Sequence, residues 1–221
     1  MKLSYHLRSL LVNKSIDIII VIVGVFIAFQ LSNLKQSYDE KSLENFYLES
    51  LVADIDKDIN SIEHILRELR SDSALTKKCI VGFSQGTLSL DTLGHAVVNI
   101  LTFETFNYRN DNTYITLMNS HGLSIISDRN ARNLISEYYK IYKSVDRLEY
   151  VYTEFLLNDF HPFFDSNVDY STEKVFNPDV LKDIRANNCF LFTEYQLNDG
   201  IETYTNMLNK ASKLKKLLKK I

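Results

Sequence analysis

The stretch Ser15-Ile16-Asp17-Ile18-Ile19-Ile20-Val21-Ile22-Val23-Gly24-Val25-Phe26-Ile27-Ala28-Phe29-Gln30-Leu31 sets the architecture. From Ile18 to Phe29 no side chain can hydrogen-bond, and nothing else in the chain compares with it. A helix crossing a hydrocarbon core of about 30 Å needs roughly 20 mostly apolar residues at about 1.5 Å each. Residues 15–34 meet that length with Asp17, Gln30, Ser32 and Asn33 at the two interfaces. A cleaved signal peptide would need a small-x-small site, which Ala28-Phe29-Gln30 lacks. A buried helix of a water-soluble domain rarely lacks polar residues on every face over three turns. The expectation is an uncleaved signal anchor.

Flanking charge orients it. Lys2, Arg8 and Lys14 precede the apolar run with no acid before Asp17, whereas Lys35 and Lys41 follow it. Basic residues favour the cytoplasmic side. Residues 1–14 are therefore expected in the cytoplasm and residues 35–221 outside it, which in a Gram-negative bacterium means an inner-membrane protein with a periplasmic domain. Within the span, Gly24 and Ala28 form a small-x-x-x-small pair that would admit a second helix, so a homo-oligomer is one expected partner state. Asp17 and Gln30 are the candidate intramembrane polar groups, with neutralisation of Asp17 beside Lys14 as the plainer reading.

The remaining composition points to helices. Two prolines, six glycines and no tryptophan stand against thirteen tyrosines and thirteen phenylalanines in 221 residues. Few helix breakers and long uninterrupted runs favour an all-α fold, here a transmembrane helix continuing into an antiparallel bundle of long helices. The formal charge of −3 argues against nucleic acid as a partner.

No proline or glycine falls between Val25 and Val81, so the span should run on as one helix. Leu48, Leu51, Ile55, Ile59, Ile62, Leu66 and Leu69 give its inner stripe. Asp39, Glu40, Glu44, Glu49, Asp54, Asp56, Asp58 and Glu63 give an acidic outer face. Breaks are expected near Ser71-Asp72-Ser73 and, more firmly, from Gly82 to Gly86. A short helix capped at Ser89 or Asp91 follows, then one from Asp111 to Met118. Asp128 caps a long helix ending before Pro162, and Pro178 opens a short one through Leu181 and Ile184. The last helix is read from about Phe192 to Ile221. Its basic end, Lys210, Lys213, Lys215, Lys216, Lys219 and Lys220, suits its own dipole, an acidic partner helix or anionic lipid.

Chemistry is sparse. Cys79 and Cys189 are the only cysteines, too few for a zinc site. The hairpin of first and last helices places both at one end of the bundle, where they are either a disulfide or two buried thiols. Asp159-x-His161 with Asp165 is the most ligand-like cluster, although the phenylalanines around Pro162 read as a helix end packing down. Tyr138, Tyr139 and Tyr142 read as core with polar tips. Phosphate loops and hydrolase or zinc-protease motifs are missing, so no enzyme, metal or cofactor is expected.

Two segments together resemble an uncharacterised family of single-span membrane proteins from Gram-negative bacteria, a domain of unknown function. The first is Ser15-Ile16-Asp17 through Phe29-Gln30-Leu31-Ser32-Asn33, an acid, an apolar run with one glycine, then Ala-x-Gln and Asn. The second is Thr113 to Ile126, followed by Ala131-Arg132-Asn133-Leu134 and Tyr138-Tyr139, a helix, a Ser-Gly turn and a helix with paired tyrosines. His121 stands where that family has the glycine after Ser120, and Leu34 where it often has tryptophan. The resemblance implies topology and a helical domain, and no activity. The expected function is a membrane-anchored periplasmic module that binds another protein or itself. An accessory subunit of a transport or channel assembly is the alternative, and a ligand-sensing or enzymatic helical domain a more distant one.

Overall fold

A computed structural model describes the backbone of residues 3–102 and 109–221, and the side chains of 21–102 and 109–221. Among the described residues the fold is all-α with long helices, apart from one hairpin of two-residue strands. Helix α1 runs over Leu3–Gln85, α2 over Leu90–Leu101, α3 over Asn112–Ser120 and α4 over Arg129–Phe155. A π-helical turn, Leu156–Phe160, joins α4 to the short α5, His161–Asp165. Strands β1 (Val168–Asp169) and β2 (Lys174–Val175), a 3-10 turn (Pro178–Lys182) and α6 (Ile184–Leu218) complete the chain.

The chain divides into two units, residues 1–48 and 49–221. In the first, the apolar side chains from Val21 to Leu34 are uncovered on every face of the helix. Val21, Ile22, Val23, Val25, Phe26, Ile27, Phe29, Leu31 and Leu34 are 49–67% exposed. Among the described residues no helix is long and apolar enough to cross a membrane. The predicted span begins at residue 15, and the side chains of residues 15–20 lie outside the described part.

In the second unit, α1 from Glu49 onward, α4 and α6 form the bundle. Side-chain pairings fix its directions. Asp56 pairs with Lys215, and Ser73 donates to Glu194 Oε1 at 3.0 Å, so α6 runs antiparallel to α1. Glu137 pairs with Lys210, and Tyr204 donates to Glu149, so α6 is antiparallel to α4 as well. The inner positions of α1 are Leu51, Ile55, Asp58, Ile62, Ile65, Leu69, Thr76 and Cys79, all buried and mostly three or four residues apart. That spacing is the knobs-into-holes seam of a helical bundle. Ile59, expected on the stripe, is half-exposed, and Asp58 takes an inner place instead.

The bundle is closed at one end by a second core. Leu93, Val97 and Ile100 of α2 pack there with Phe160, Phe164, Val180 and Phe190. The Phe190 ring lies 5.6–6.0 Å from those of Phe83, Phe160 and Phe164. The hairpin leans on α2. Asp169 holds its turn by accepting from the Ser171 N–H and from the Ser171 and Thr172 hydroxyls, which lowers its carboxyl to about 2.

Three boundaries differ from the sequence reading, while the end of α1 falls within the break expected from Gly82 to Gly86. Helix α1 is unbroken at Ser71–Ser73, because Ser73 is buried and bonded to Glu194 rather than competing for its own backbone. It ends at Gln85, where Gly86 takes φ +67° and the Thr87 N–H returns to the Gly82 carbonyl at 2.9 Å. Pro162 does not stop the helical path. The π turn before it relaxes the backbone bonding that a proline cannot join, and Pro162 sits in the first turn of α5. Helix α6 starts eight residues early, at Ile184, because the Asp183 side chain caps the Arg185 N–H at 2.9 Å. The caps at Ser89 and Asp128 form as expected, on the N–H groups of Thr92 and Ala131.

Two glycines separate close approach from mere presence. A Cβ on Gly94 would lie 1.8 Å from the Glu173 carbonyl oxygen, and Glu173 already holds φ +57° in the hairpin turn. A Cβ on Gly200 would meet the Leu69 side chain at 3.4 Å. Gly94→Ala should therefore lower the unfolding free energy by about 1–3 kcal/mol. Gly200→Ala should be neutral or raise it by up to about 1 kcal/mol through helix propensity. Denaturant titration of both variants beside the wild type checks the contrast.

Candidate functional site

Two polar features stand out within the bundle, one closed and one open. The closed one centres on Asp58, which is 0% exposed. Tyr138 donates to its Oδ2 at 2.7 Å, Tyr142 donates to the same oxygen, and Asn110 Nδ2 donates to Oδ1 at 2.8 Å. A burial penalty of this size is met only when the carboxylate is well hydrogen-bonded, as here. Around it, Tyr139 stacks on Tyr114 of α3 at 4.0 Å, and Thr113 donates to Asp54 Oδ2 at 2.5 Å. Burial raises the phenols of Tyr138, Tyr139 and Tyr142, with Asp58 adding to it, so all three stay protonated at neutral pH. The expected acidic outer face is thus corrected at Asp58, which turns inward as the acceptor of the tyrosine tips. Tyr138, Tyr142 and Asn110 each commit a donor to Asp58, which suits the cage to hold helices rather than to turn over a substrate.

A second polar layer lies further along α1. Burial, with Glu68 nearby, pushes Asp72 up to about 6. Tyr152 is raised by burial and by Asp72. Thr76 and Thr193 are also buried at this depth.

The open feature is a cleft of about 890 Å³ where α4, the π turn and the start of α6 meet. Its apolar walls are Val151, Phe155, Phe163 and Phe192, with Phe155 and Phe192 at 4.4 Å between ring centroids. Its polar groups are Glu154, Asn158, Asp159, Arg185 and Asn188. Arg185 is held by Asp183 at 2.8 Å and lies over the Phe163 ring at 4.9 Å. Asn158 donates to Glu154 at 3.1 Å. Across the π turn a smaller cleft of about 520 Å³ is lined by Leu101, Leu156, His161 and Tyr170 among others. An apolar cavity with a few convergent polar groups is the usual form of a binding site, and π turns are frequent at such sites.

The predicted site residues fall as follows. Gly24, Ala28 and Gln30 are exposed, and a Cβ on Gly24 would meet nothing within 4 Å. The Asp17 side chain lies outside the described residues. Cys79 and Cys189 belong to the same hydrophobic cluster, as the hairpin argument placed them, but both thiols are free. Cys79 is wholly buried in the core wall, and Cys189 points its half-buried thiol toward the cleft. Asp159 and His161 line different clefts, so the ligand-like cluster does not converge. Among the described residues no three His, Cys, Asp or Glu side chains are grouped to hold a metal ion.

The sequence reading missed the cleft. A signal was present: the inner positions Val145, Leu148, Tyr152 and Phe155 are followed by Phe160 and Phe164, and the five-residue step marks the π turn.

Burial pushes the Cys79 thiol up to about 12 and the Cys189 thiol to about 11. A maleimide should therefore modify Cys189 alone in the folded chain, slowly at pH 8 and roughly tenfold faster per pH unit as the thiolate fraction grows. Mass spectrometry of tryptic peptides checks this, and equal labelling of both cysteines would contradict it. No protein-family model, curated protein or solved structure matches this chain, so a functional reading rests on the chemistry of the site.

Proposed function

We propose that this chain is a single-span membrane protein whose helical domain lies outside the cytoplasm and binds another protein. The observation that carries the reading is the uncovered apolar helix of the first unit. Nine large apolar side chains from Val21 to Leu34 are about half to two-thirds exposed on all faces. Each such side chain left in water forgoes about 1.5–3 kcal/mol of burial. Lipid on all sides answers that cost, and a single-faced protein partner does not. The apolar run continues upstream through Ile18, which brings it to spanning length.

The basic residues Lys2, Arg8 and Lys14 favour a cytoplasmic N-terminus and a periplasmic bundle in a Gram-negative cell. The open face at Gly24 and Ala28 leaves room for a second helix within the bilayer, so self-association is compatible with the reading. The bundle's aromatic cleft supports a binding role over a purely structural one.

Alkaline phosphatase fused after Ile221 should be active in intact cells, and the chain should stay in the membrane pellet after carbonate extraction. An inactive fusion would reverse the orientation, and extraction into the supernatant would remove the anchor.

A further inference from the structure

Resting on that reading, we infer that the docking site is the cleft at the π turn, and that it takes an amphipathic segment of a partner protein bearing arginine or lysine beside apolar residues. The phenylalanine walls Phe155, Phe163 and Phe192 supply a desolvated floor for apolar side chains. Their faces also attract a cation. The cleft displays that chemistry within itself, since the Arg185 guanidinium lies over Phe163 at 4.9 Å. Arg185 is nevertheless not the cleft's neutralising charge, because Asp183 holds it through three contacts of 2.8–3.2 Å. The carboxylates of Glu154 and Asp159 are then left facing the opening, and among the described residues neither forms an ion pair. A site with aromatic walls and two uncompensated acids is complementary to a cationic amphipathic segment and repels an acidic one.

The chain's own basic end does not meet the requirement. Lys213, Lys215, Lys216, Lys219 and Lys220 lie on the same turns as Ala211, Leu214 and Leu218, whose apolar faces are already buried in the bundle. Offered from a second copy, that basic end would bring charge to the cleft without apolar side chains to fill it. The π turn accounts for the cleft's position: its wider ring interrupts the regular packing of α4 on α6 where Asn158 and Asp159 stand.

The test uses the full chain in nanodiscs of zwitterionic lipid and two fluorescein-labelled helical peptides. Both carry leucines at i, i+4 and i+7, one with arginines between them and one with glutamates at the same places. Fluorescence anisotropy should show the arginine peptide binding at least tenfold more tightly than the glutamate peptide. Glu154→Gln with Asp159→Asn should remove at least tenfold of that affinity. Asn188→Arg, which puts a cation into the cleft from an exposed helix position, should do the same. Circular dichroism melts confirm that the variants remain folded. Equal binding of the two peptides, or binding unchanged by both variants, would overturn the assignment. So would competition by unlabelled copies of the chain itself, which would make a second copy the occupant. If neither peptide binds, a photo-cross-linking residue is placed in cell membranes at Asn188 in the cleft and at Tyr195, an exposed position of α6 outside the cleft lining. Adducts at Tyr195 alone would overturn the cleft while sparing the docking role, and adducts at neither would remove both.

Discussion

A carboxylate buried among tyrosines holds this bundle in register. Asp58 occupies an inner position of α1 that an apolar residue would fill at less desolvation cost. Its three donors come from the segment before α3 and from two successive turns of α4. Sliding α1 by one turn against α4 would strand a buried charge and two buried phenols together, whereas a leucine there would tolerate several registers. A polar group at one inner position is a known way to specify register at some expense of stability. The segment before α3 joins through Asn110, so the long connection from α2 to α4 is tied to the same point. With α1 and α4 fixed, α6 can close on both through the Glu194, Tyr204, Lys210 and Lys215 contacts.

The opposite end of the bundle follows different rules. There the core is aromatic, and the helices are short and connected by turns. Phe190 of α6 touches rings from α1, the π turn and α5, so one residue gathers three segments. The price of fitting Phe160 and Phe164 into that core is the extra residue of the π turn, which opens the surface between α4 and α6. The cleft is thus a consequence of how the end cap is packed. The rigid register at Asp58 and the opened surface at the π turn divide the domain into a part that holds shape and a part that can receive a partner.

What was legible in the sequence follows the range of each interaction. Ser89 and Asp128 were readable as caps because the bond spans three residues. Tyr138 and Tyr142 were readable as core because their spacing is helical. Their acceptor was not, since Asp58 lies in an acidic run and its partners are 80 and 84 residues away. Ser71-Asp72-Ser73 reads as a break by local propensity, and a bond to Glu194, 121 residues distant, overrides it. The break read from Gly82 to Gly86 is where α1 ends, and Gly82 has a further part in it. In the fold it lets Leu88 approach so closely that a Cβ would sit 2.9 Å from the leucine's own. The early start of α6 was hidden because Ile184 is 69% exposed and continues no apolar stripe. Of the candidate site, Cys189 was singled out beforehand as half of a disulfide and Asp159 as part of a ligand-like cluster with His161, neither as the edge of a cleft.

Asp58 and its phenols act as one unit holding α1 to α4. A double-mutant cycle on Asp58→Ala and Tyr142→Phe, followed by reversible chemical unfolding of the full chain in micelles, measures that coupling directly. The expected coupling energy is about 1–3 kcal/mol, the two changes together costing clearly less than their sum. Strict additivity would mean that Asp58 and Tyr142 contribute independently, and that the register is held by the apolar seam alone.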